Sequence, residues 1–119
     1  MPSVDVALGE RAYSIHIGHG LLADPACFPA CLSGQTVAVV SNETVAPLYL
    51  QTVQKSLLAA GARPFAVILP DGETHKNWQN LNRIFDALLE KHCERDGVLI
   101  ALGGGVIGDM SGFAAACYQ

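Results

Sequence analysis

One pattern recurs three times along this 119-residue chain and restricts its fold more than any other feature. Each time, a short apolar run is followed by a polar or glycine-rich loop and then by apolar residues at helical spacing. The apolar runs are 36–40, 65–69 and 97–102. Strands that are apolar on both faces are typical of parallel sheets, and strand–loop–helix repeats make right-handed crossovers. The pattern therefore predicts an α/β fold: a Rossmann-like parallel sheet with helices on both faces.

Capping residues and helical spacing predict where the three helices lie. The first should run from Val45 to about Ala60, with Thr44 as its cap and Gly61 just past its end. Its predicted buried stripe is Val45, Leu48, Tyr49, Val53 and Leu57. Thr74 is a possible cap for the second helix, whose spaced apolar residues are Leu81, Ile84, Phe85, Leu88 and Leu89. The third should begin near Val106, and the residues predicted to face inward are Met110, Phe113, Ala114 and Cys117.

The segment before the first repeat has a different periodicity. Apolar residues alternate along 3–18 on either side of Gly9, Glu10 and Arg11, which predicts an N-terminal antiparallel β-hairpin. Glycines and prolines interrupt 18–34, so this stretch is predicted to be mostly loop, with a short helix near Leu21–Ala23.

Composition excludes several classes of protein. Half of the residues are hydrophobic, 15% are charged and the net charge is −4, which favours a packed core and gives no support to nucleic-acid binding. We find neither a secretory leader nor the about 20 continuous apolar residues of a membrane span, so we expect a cytoplasmic protein that does not bind membranes. The four cysteines lack disulfide or zinc spacing and are interpreted as ordinary thiols.

The third predicted helix has no stop signal before the last residue, Gln119. An apolar helix of this kind normally leads into another strand. We therefore expect the chain to be the front part of a longer protein.

Three loops should meet at the carboxyl edge of the sheet, which is where open parallel sheets bind ligands. They are 41–44, 71–76 and 103–109. The third contains a GxGxxG pattern between a strand and a helix, which is typical of a loop that lets a pyrophosphate approach the backbone amides. The alternative is a tight turn with close helix–strand packing. Asp109 either stabilises the helix dipole or accepts hydrogen bonds from a sugar or amide.

The other two loops carry polar groups with similarly open interpretations. Glu73 suits ribose hydroxyls and Lys76 suits a phosphate, or both belong to a solvated loop together with Asp71. Asn42 either contacts a base or ribose edge or supports an Asx turn. The four histidines show no metal-binding spacing, so no metal site is predicted in this chain.

Several of these segments together resemble a known family. LPDGETHK at 69–76, SNETVAPLY at 41–49 and ALGGGVIGDMSGFAAACYQ at 101–119 are similar to the N-terminal domain of the 3-dehydroquinate synthase family of the bacterial shikimate pathway. The segment LGERAYSIHIG at 8–18 resembles that family's first hairpin, so the resemblance spans the whole chain in order.

The resemblance implies a function and a set of site residues. Residues 1–119 would form an NAD-binding α/β domain, and NAD would contact Asn42, Asp71, Gly72, Glu73, Lys76, Gly104, Gly105, Val106 and Asp109. The family converts a sugar phosphate, 3-deoxy-D-arabino-heptulosonate 7-phosphate, to 3-dehydroquinate and phosphate with NAD and a divalent metal, zinc or cobalt. Its metal ligands, a Glu and two His, belong to a C-terminal helical domain without counterpart in this chain. The resemblance therefore implies no catalytic residue or metal ligand here, an inactive chain when alone, and a homodimer for the full-length protein.

Two other classes of function stay open at this point. The same scaffold serves related sugar-phosphate cyclases and metal-dependent dehydrogenases, although the dehydrogenases resemble GGGS rather than GGGVIGD. A nucleotide-binding or interaction module without catalysis is the other alternative.

Overall fold

A computed structural model describes residues 3–7, 9, 13–93 and 97–118, and it has the predicted α/β architecture. The strands are β1 (Ser3–Val6), β2 (Tyr13–His16), β3 (Thr36–Asn42), β4 (Arg63–Leu69) and β5 (Val98–Ala101). The helices are α1 (Ala46–Ala59), α2 (Trp78–Glu90) and α3 (Gly105–Cys117).

Strand β3 is the centre of a three-stranded parallel sheet of order β4-β3-β5. It pairs with β4 from Thr36 opposite Arg63 to Asn42 opposite Leu69, and with β5 from Val37 opposite Val98. Every β3 residue after Thr36 is buried, as expected for a strand that is covered on both faces and paired on both edges.

The sheet separates two layers of helix, so the predicted placement of helices on both faces is confirmed. Helix α1 packs on one face, where its Val53 and Leu57 contact Val37 and Val39. Helices α2 and α3 pack on the opposite face, on a core formed by Ala38, Val40, Val67, Leu69, Leu81, Ile84, Leu88, Ile107, Met110 and Ala114. The chain leaves β3 toward one face but leaves β4 and β5 toward the other, which creates a crevice at the carboxyl edge of the sheet.

The predicted buried stripe of α1 is wrong in part. Leu48 is 67% exposed and Tyr49 is 49% exposed, whereas Ala46 and Ser56 are buried beside Val53 and Leu57. Ala46 and Ser56 therefore lie on the buried side of the helix, where Leu48 and Tyr49 were predicted. The Ser56 hydroxyl donates to the carbonyl of Leu22, which satisfies a polar group that periodicity treats as surface.

Both predicted threonine caps are also wrong. Helix α1 follows an Asx turn in which the side-chain oxygen of Asn42 accepts hydrogen bonds from the backbone N–H groups of Thr44 and Val45. Helix α2 is capped by Asn77, whose side chain accepts from the backbone of Asn80, three residues later. In α2 an asparagine takes the role predicted for Thr74, whereas α1 has Val45 at its cap position and no side-chain cap.

The predicted inward faces of α2 and α3 are only partly correct. Leu81, Ile84 and Leu88 are buried, but Leu89 is 57% exposed. Met110 and Ala114 are buried, whereas Phe113 and Cys117 are exposed.

The N-terminal hairpin is confirmed as a separate two-stranded antiparallel sheet, with Val4 opposite Ile15 and Val6 opposite Tyr13. The predicted turn residues Glu10 and Arg11 lie outside the described residues. The short helix at Leu21–Ala23 is confirmed as a 3-10 turn. All four cysteines are free thiols, in agreement with their predicted role. Among the described residues, no helix has the length and apolarity needed to cross a bilayer.

The neighbours Leu57 and Leu58 provide a matched test of the α1 packing, because Leu57 is fully buried and Leu58 is 61% exposed. We expect Leu57→Ala to lower the free energy of unfolding by about 2–5 kcal/mol through the cavity that it leaves. Leu58→Ala should change it by about 0.5 kcal/mol or less. Urea denaturation of both variants measures the difference, and equal effects would contradict the observed orientation of α1.

Candidate functional site

The three loops that follow β3, β4 and β5 are tied to one another by side-chain contacts. Asn42 donates from Nδ2 to Oδ1 of Asp71 at 3.3 Å, and the Thr44 hydroxyl donates to Oδ2 of the same carboxylate at 2.7 Å. The second loop reaches the third through Lys76, whose Nζ lies 3.0 Å from Oδ2 of Asp109. The predicted meeting of the loops is therefore observed, and five polar side chains create it.

The first loop is rigid because β3 is bonded on both sides where it ends. The buried Ser41 hydroxyl donates to the carbonyl of Leu102 at 2.8 Å, and the backbone N–H of Glu43 donates to the carbonyl of Leu69 at 3.0 Å. Asn42 is buried, and both ends of its amide are engaged. The Asx turn, which is one of the two interpretations of Asn42, is thus present. In addition, the amide nitrogen of Asn42 orients Asp71.

The second loop is a short 3-10 turn at Glu73–His75 that starts from Gly72. Gly72 has a φ of +112°, a conformation that side-chain-bearing residues rarely adopt, so glycine is required there by the backbone itself. The turn exposes Glu73 and leaves Lys76 at its end, where the ammonium also lies 3.6 Å from Oε1 of Glu73.

Lys76 is the centre of charge in this site. Its hydrogen bond to Asp109 raises its pKa above the ordinary value, and the negative charges of Asp109 and Glu73 act in the same direction. The ammonium is therefore fully charged at neutral pH. The side chains of Lys76 and Asp109 are 39% and 64% exposed, so solvent and salt screen the pair and a competing anion can reach the ammonium.

The glycines of the third loop have different roles. A Cβ on Gly103 would lie 3.1 Å from Cγ1 of Ile107, so this glycine permits close packing of the loop on its own helix. Cβ atoms on Gly104 or Gly105 would meet no atom within 4 Å, and neither residue has a positive φ. The fold itself therefore does not require glycine at 104 and 105. Because these residues have no side chains, the space beside them is open.

That open space lies at the start of α3. Gly104 is the residue before the helix and has no side chain to cap it, so the first backbone N–H groups of α3 lack partners within the helix. These groups and the helix dipole favour an anion at this position. Val106 lies in the same first turn, and Asp109 lies one turn further along.

A cleft of about 400 Å³ opens between α2 and α3 beside the Lys76–Asp109 pair. Trp78 and Phe113 form part of its wall, and their rings meet edge to face with centroids 5.9 Å apart. Trp78 was not among the residues that the sequence patterns indicated. Its position immediately after the polar loop, at the first turn of a helix, was the available signal.

The polar groups of the site are a helix start with unpaired N–H groups, one ammonium and exposed carboxylates, which suit an anion and hydroxyl groups. Among the residues that the structure describes, no three His, Cys, Asp or Glu side chains are grouped to hold a metal ion. The residues that the resemblance implicates divide between the loops: Asn42 on the first, Asp71, Gly72, Glu73 and Lys76 on the second, and Gly104, Gly105, Val106 and Asp109 on the third.

Solved structures with the same fold are sugar-phosphate cyclases. A 2-deoxy-scyllo-inosose synthase complexed with carbaglucose-6-phosphate, NAD+ and Co2+ matches 98% of this chain and 32% of its own, with a TM-score of 0.83 and 17% identity. A 2-epi-5-epi-valiolone synthase from Streptomyces hygroscopicus subsp. jinggangensis 5008, with NAD+ and Zn2+ bound, matches 95% of this chain and 31% of its own, with a TM-score of 0.76 and 28% identity. The fold is thus the α/β fold found in the cyclases of this class.

Sequence comparison finds relatives that are 3-dehydroquinate synthases. Residues 66–119 match the family described as 3-dehydroquinate synthase N-terminal. The chain is 57% identical over all 119 residues to a 3-dehydroquinate synthase of Pseudomonas fluorescens (strain SBW25), and 56% identical to that of Pseudomonas putida (strain W619). It covers 32% of each of these relatives. Over its whole length the chain is similar to these 3-dehydroquinate synthases, and it spans about a third of their length.

The raised pKa of Lys76 gives a pH-dependent prediction. Because the folded-state pKa is raised, the contribution of the pair to stability is complete below the ordinary pKa of lysine and is lost as pH rises through the raised value. We expect Asp109→Asn to lower the pKa of Lys76, which NMR titration of the lysine ε-methylene measures. An unchanged titration in Asp109→Asn would mean that the two groups are not paired in solution.

Proposed function

We propose that residues 1–119 form an NAD-binding domain and that the three strand-end loops hold the cofactor. One observation carries the proposal: the loops are tied together around a helix start where two glycines leave open space that the fold does not need. A dinucleotide brings a diphosphate, hydroxyl-bearing sugars and flat rings, and each finds a complementary group at this edge of the sheet.

The diphosphate fits the third loop. The backbone amides of Gly104, Gly105 and Val106 offer hydrogen-bond donors that a bulky side chain would screen. Gly108 is also open, so the first exposed turn of α3 is free of side-chain obstruction on that side. The net charge of the chain is negative, and local amides with one ammonium provide the attraction instead.

The acids and the lysine would orient the rest of the cofactor. Glu73 is exposed and able to accept hydrogen bonds from ribose hydroxyls, and Asp109 is placed for a sugar or amide group. Lys76 would exchange part of its contact with Asp109 for a phosphate oxygen.

Asp71 and Gly72 shape the loop, with Asn42 and Thr44 holding the Asp71 carboxylate. When bound, NAD supplies reversible hydride acceptance to the enzyme as a whole.

The activity of the full-length protein is inferred from these relatives, since the family model matches residues 66–119 and the identity extends over the whole chain. We propose that it converts 3-deoxy-D-arabino-heptulosonate 7-phosphate to 3-dehydroquinate and phosphate, in the cytoplasm and as a homodimer. The divalent metal, zinc or cobalt, would be held by the Glu and two His of a C-terminal helical domain and not by residues of this chain. Identity of 57% to 3-dehydroquinate synthase, against 28% to a valiolone synthase, supports this substrate over those of the related cyclases.

Two glycines of α3 provide a matched test of cofactor binding. Gly105→Ala adds a methyl group where the diphosphate is proposed to lie, and Gly112→Ala adds the same group further along the helix, also in open space. We expect Gly105→Ala to weaken NAD binding at least about tenfold through loss of close approach to the amides. Isothermal titration calorimetry on both variants and the parent measures the ratio.

Gly112→Ala should leave the affinity unchanged while raising helix stability by about 0.5–1 kcal/mol. Micromolar binding by the parent favours the enzyme domain, and no binding at millimolar NAD would favour a structural module. Equal affinities for the two variants would contradict the proposed position of the diphosphate.

The resemblance assigns the metal ligands to a C-terminal domain outside this chain, and no group of three metal-binding side chains occurs among the residues that the structure describes. These two points predict the behaviour of residues 1–119 on their own. We expect no phosphate release from the sugar phosphate above background, with NAD and zinc or cobalt present. A phosphate-release assay checks this, with the Pseudomonas fluorescens enzyme as positive control. Metal-dependent release by the 119-residue chain would refute the expectation.

A further inference from the structure

The turn that carries Glu73 and Lys76 is anchored by one buried side chain, that of Asn80. We infer that Asn80 is a positioning residue, which fixes the turn so that Lys76 reaches Asp109 and the cofactor site. The inference rests on the proposed function for its purpose, but its structural basis is independent of any bound cofactor.

Residues of the turn make few contacts that attach it to the rest of the fold. Residues 73–79 are all exposed, and the large apolar side chain among them, Trp78, is 67% exposed and meets Phe113, which is itself 48% exposed. Within the turn, the backbone N–H of His75 bonds to the carbonyl of Gly72 at 3.1 Å and that of Lys76 bonds to the carbonyl of Glu73 at 3.1 Å. These bonds define the local shape of the turn but do not attach it to the rest of the fold.

Asn80 provides that attachment. Its side chain is buried, with 6% of the residue exposed, and Nδ2 donates to the carbonyl oxygen of His75 at 2.8 Å. The same oxygen accepts from the backbone N–H of Asn77 at 3.0 Å. Because a peptide unit is planar, fixing the His75 carbonyl also fixes the position of the Lys76 nitrogen and Cα.

Arg83 extends the anchor to the sheet. One guanidinium nitrogen donates to Oδ1 of Asn80 at 3.4 Å, and the other donates to the carbonyl of Ile68 at 2.8 Å, close to the end of β4. Asn80 and Arg83 are three residues apart on α2 and share one face of the helix. A continuous set of hydrogen bonds therefore runs from the strand to the turn.

Helix capping alone does not account for this arrangement. Asn80 occupies the third position of α2 after the cap residue Asn77, where a capping-box side chain would bond back to the backbone N–H of the cap. Its amide donates instead to a carbonyl two residues before the cap. The bond therefore acts on the turn outside the helix, while Asn77 caps α2 with its own side chain.

The test compares Asn80→Leu with a matched control in the 119-residue chain. Leucine has a similar size and no donor, so the turn should lose its attachment and the Lys76 ammonium should lie beside Asp109 and Glu73 less often. We expect the pKa of Lys76, measured by NMR titration, to fall toward its ordinary value. NAD affinity, measured by calorimetry, should fall at least about fivefold.

Ser56→Ala is the control, because Ser56 is also a buried polar residue whose side chain donates to a backbone carbonyl, but on the opposite face of the sheet. It should leave both the Lys76 titration and NAD affinity as in the parent. A shift of the same size in Ser56→Ala would mean that general loosening of the fold is sufficient, which would overturn the inference.

A second variant keeps the test decisive if Asn80→Leu does not fold. Arg83 is exposed, and Arg83→Met removes the far end of the anchor while keeping an aliphatic side chain. It should shift the Lys76 titration in the same direction by a smaller amount. Folded variants that titrate Lys76 as the parent does would overturn the inference, whereas a shifted titration in a chain that never binds NAD would refute only the proposed function.

Discussion

The whole arrangement depends on the burial of β3. This strand is paired along both edges and covered on both faces, so its position is fixed from every side. Its last residues, Ser41 and Asn42, extend that order to the sheet edge by bonding to Leu102 beyond β5 and to Asp71 beyond β4. A rigid central strand thus becomes a rigid reference point for the two loops that carry the exposed charges.

Side chains become more exposed from the end of β3 toward the outer loops, and the charged groups of the site lie in those outer loops. The buried amide of Asn42 holds the Asp71 carboxylate, while the Lys76–Asp109 pair is exposed and screened by solvent. An exposed ion pair contributes little to folding. Under the proposed function, the place of this pair beside an open helix start serves cofactor binding rather than stability, and the open glycines have the same role.

The sequence was sufficient to predict the fold because the apolar runs are short, β-branched and repeated. It also predicted the three loops, since the edge where parallel strands end is a consequence of topology. It did not predict which side chains pair across the loops. Thr44 and Thr74 were reasonable caps, but Asn77 caps α2, and α1 has no side-chain cap and follows the Asx turn of Asn42 instead. Local sequence does not rank such competing arrangements. Leu48 and Tyr49 were misplaced because 3.6-residue spacing is compatible with more than one rotation of α1, and packing on the sheet decides between them.

The role of Asn80 could not be predicted from the sequence, because it depends on a carbonyl five residues earlier that only the folded turn brings near.

The contact between Trp78 and Phe113 makes this site observable without any label. Trp78 is the chain's single tryptophan, and it lines the cleft beside Lys76. All of the indole emission of the protein therefore originates at the wall of the site, and its intensity and wavelength depend on the polarity and contacts found there. The chain carries its own optical reporter, and occupancy of the cleft can be followed in unmodified protein.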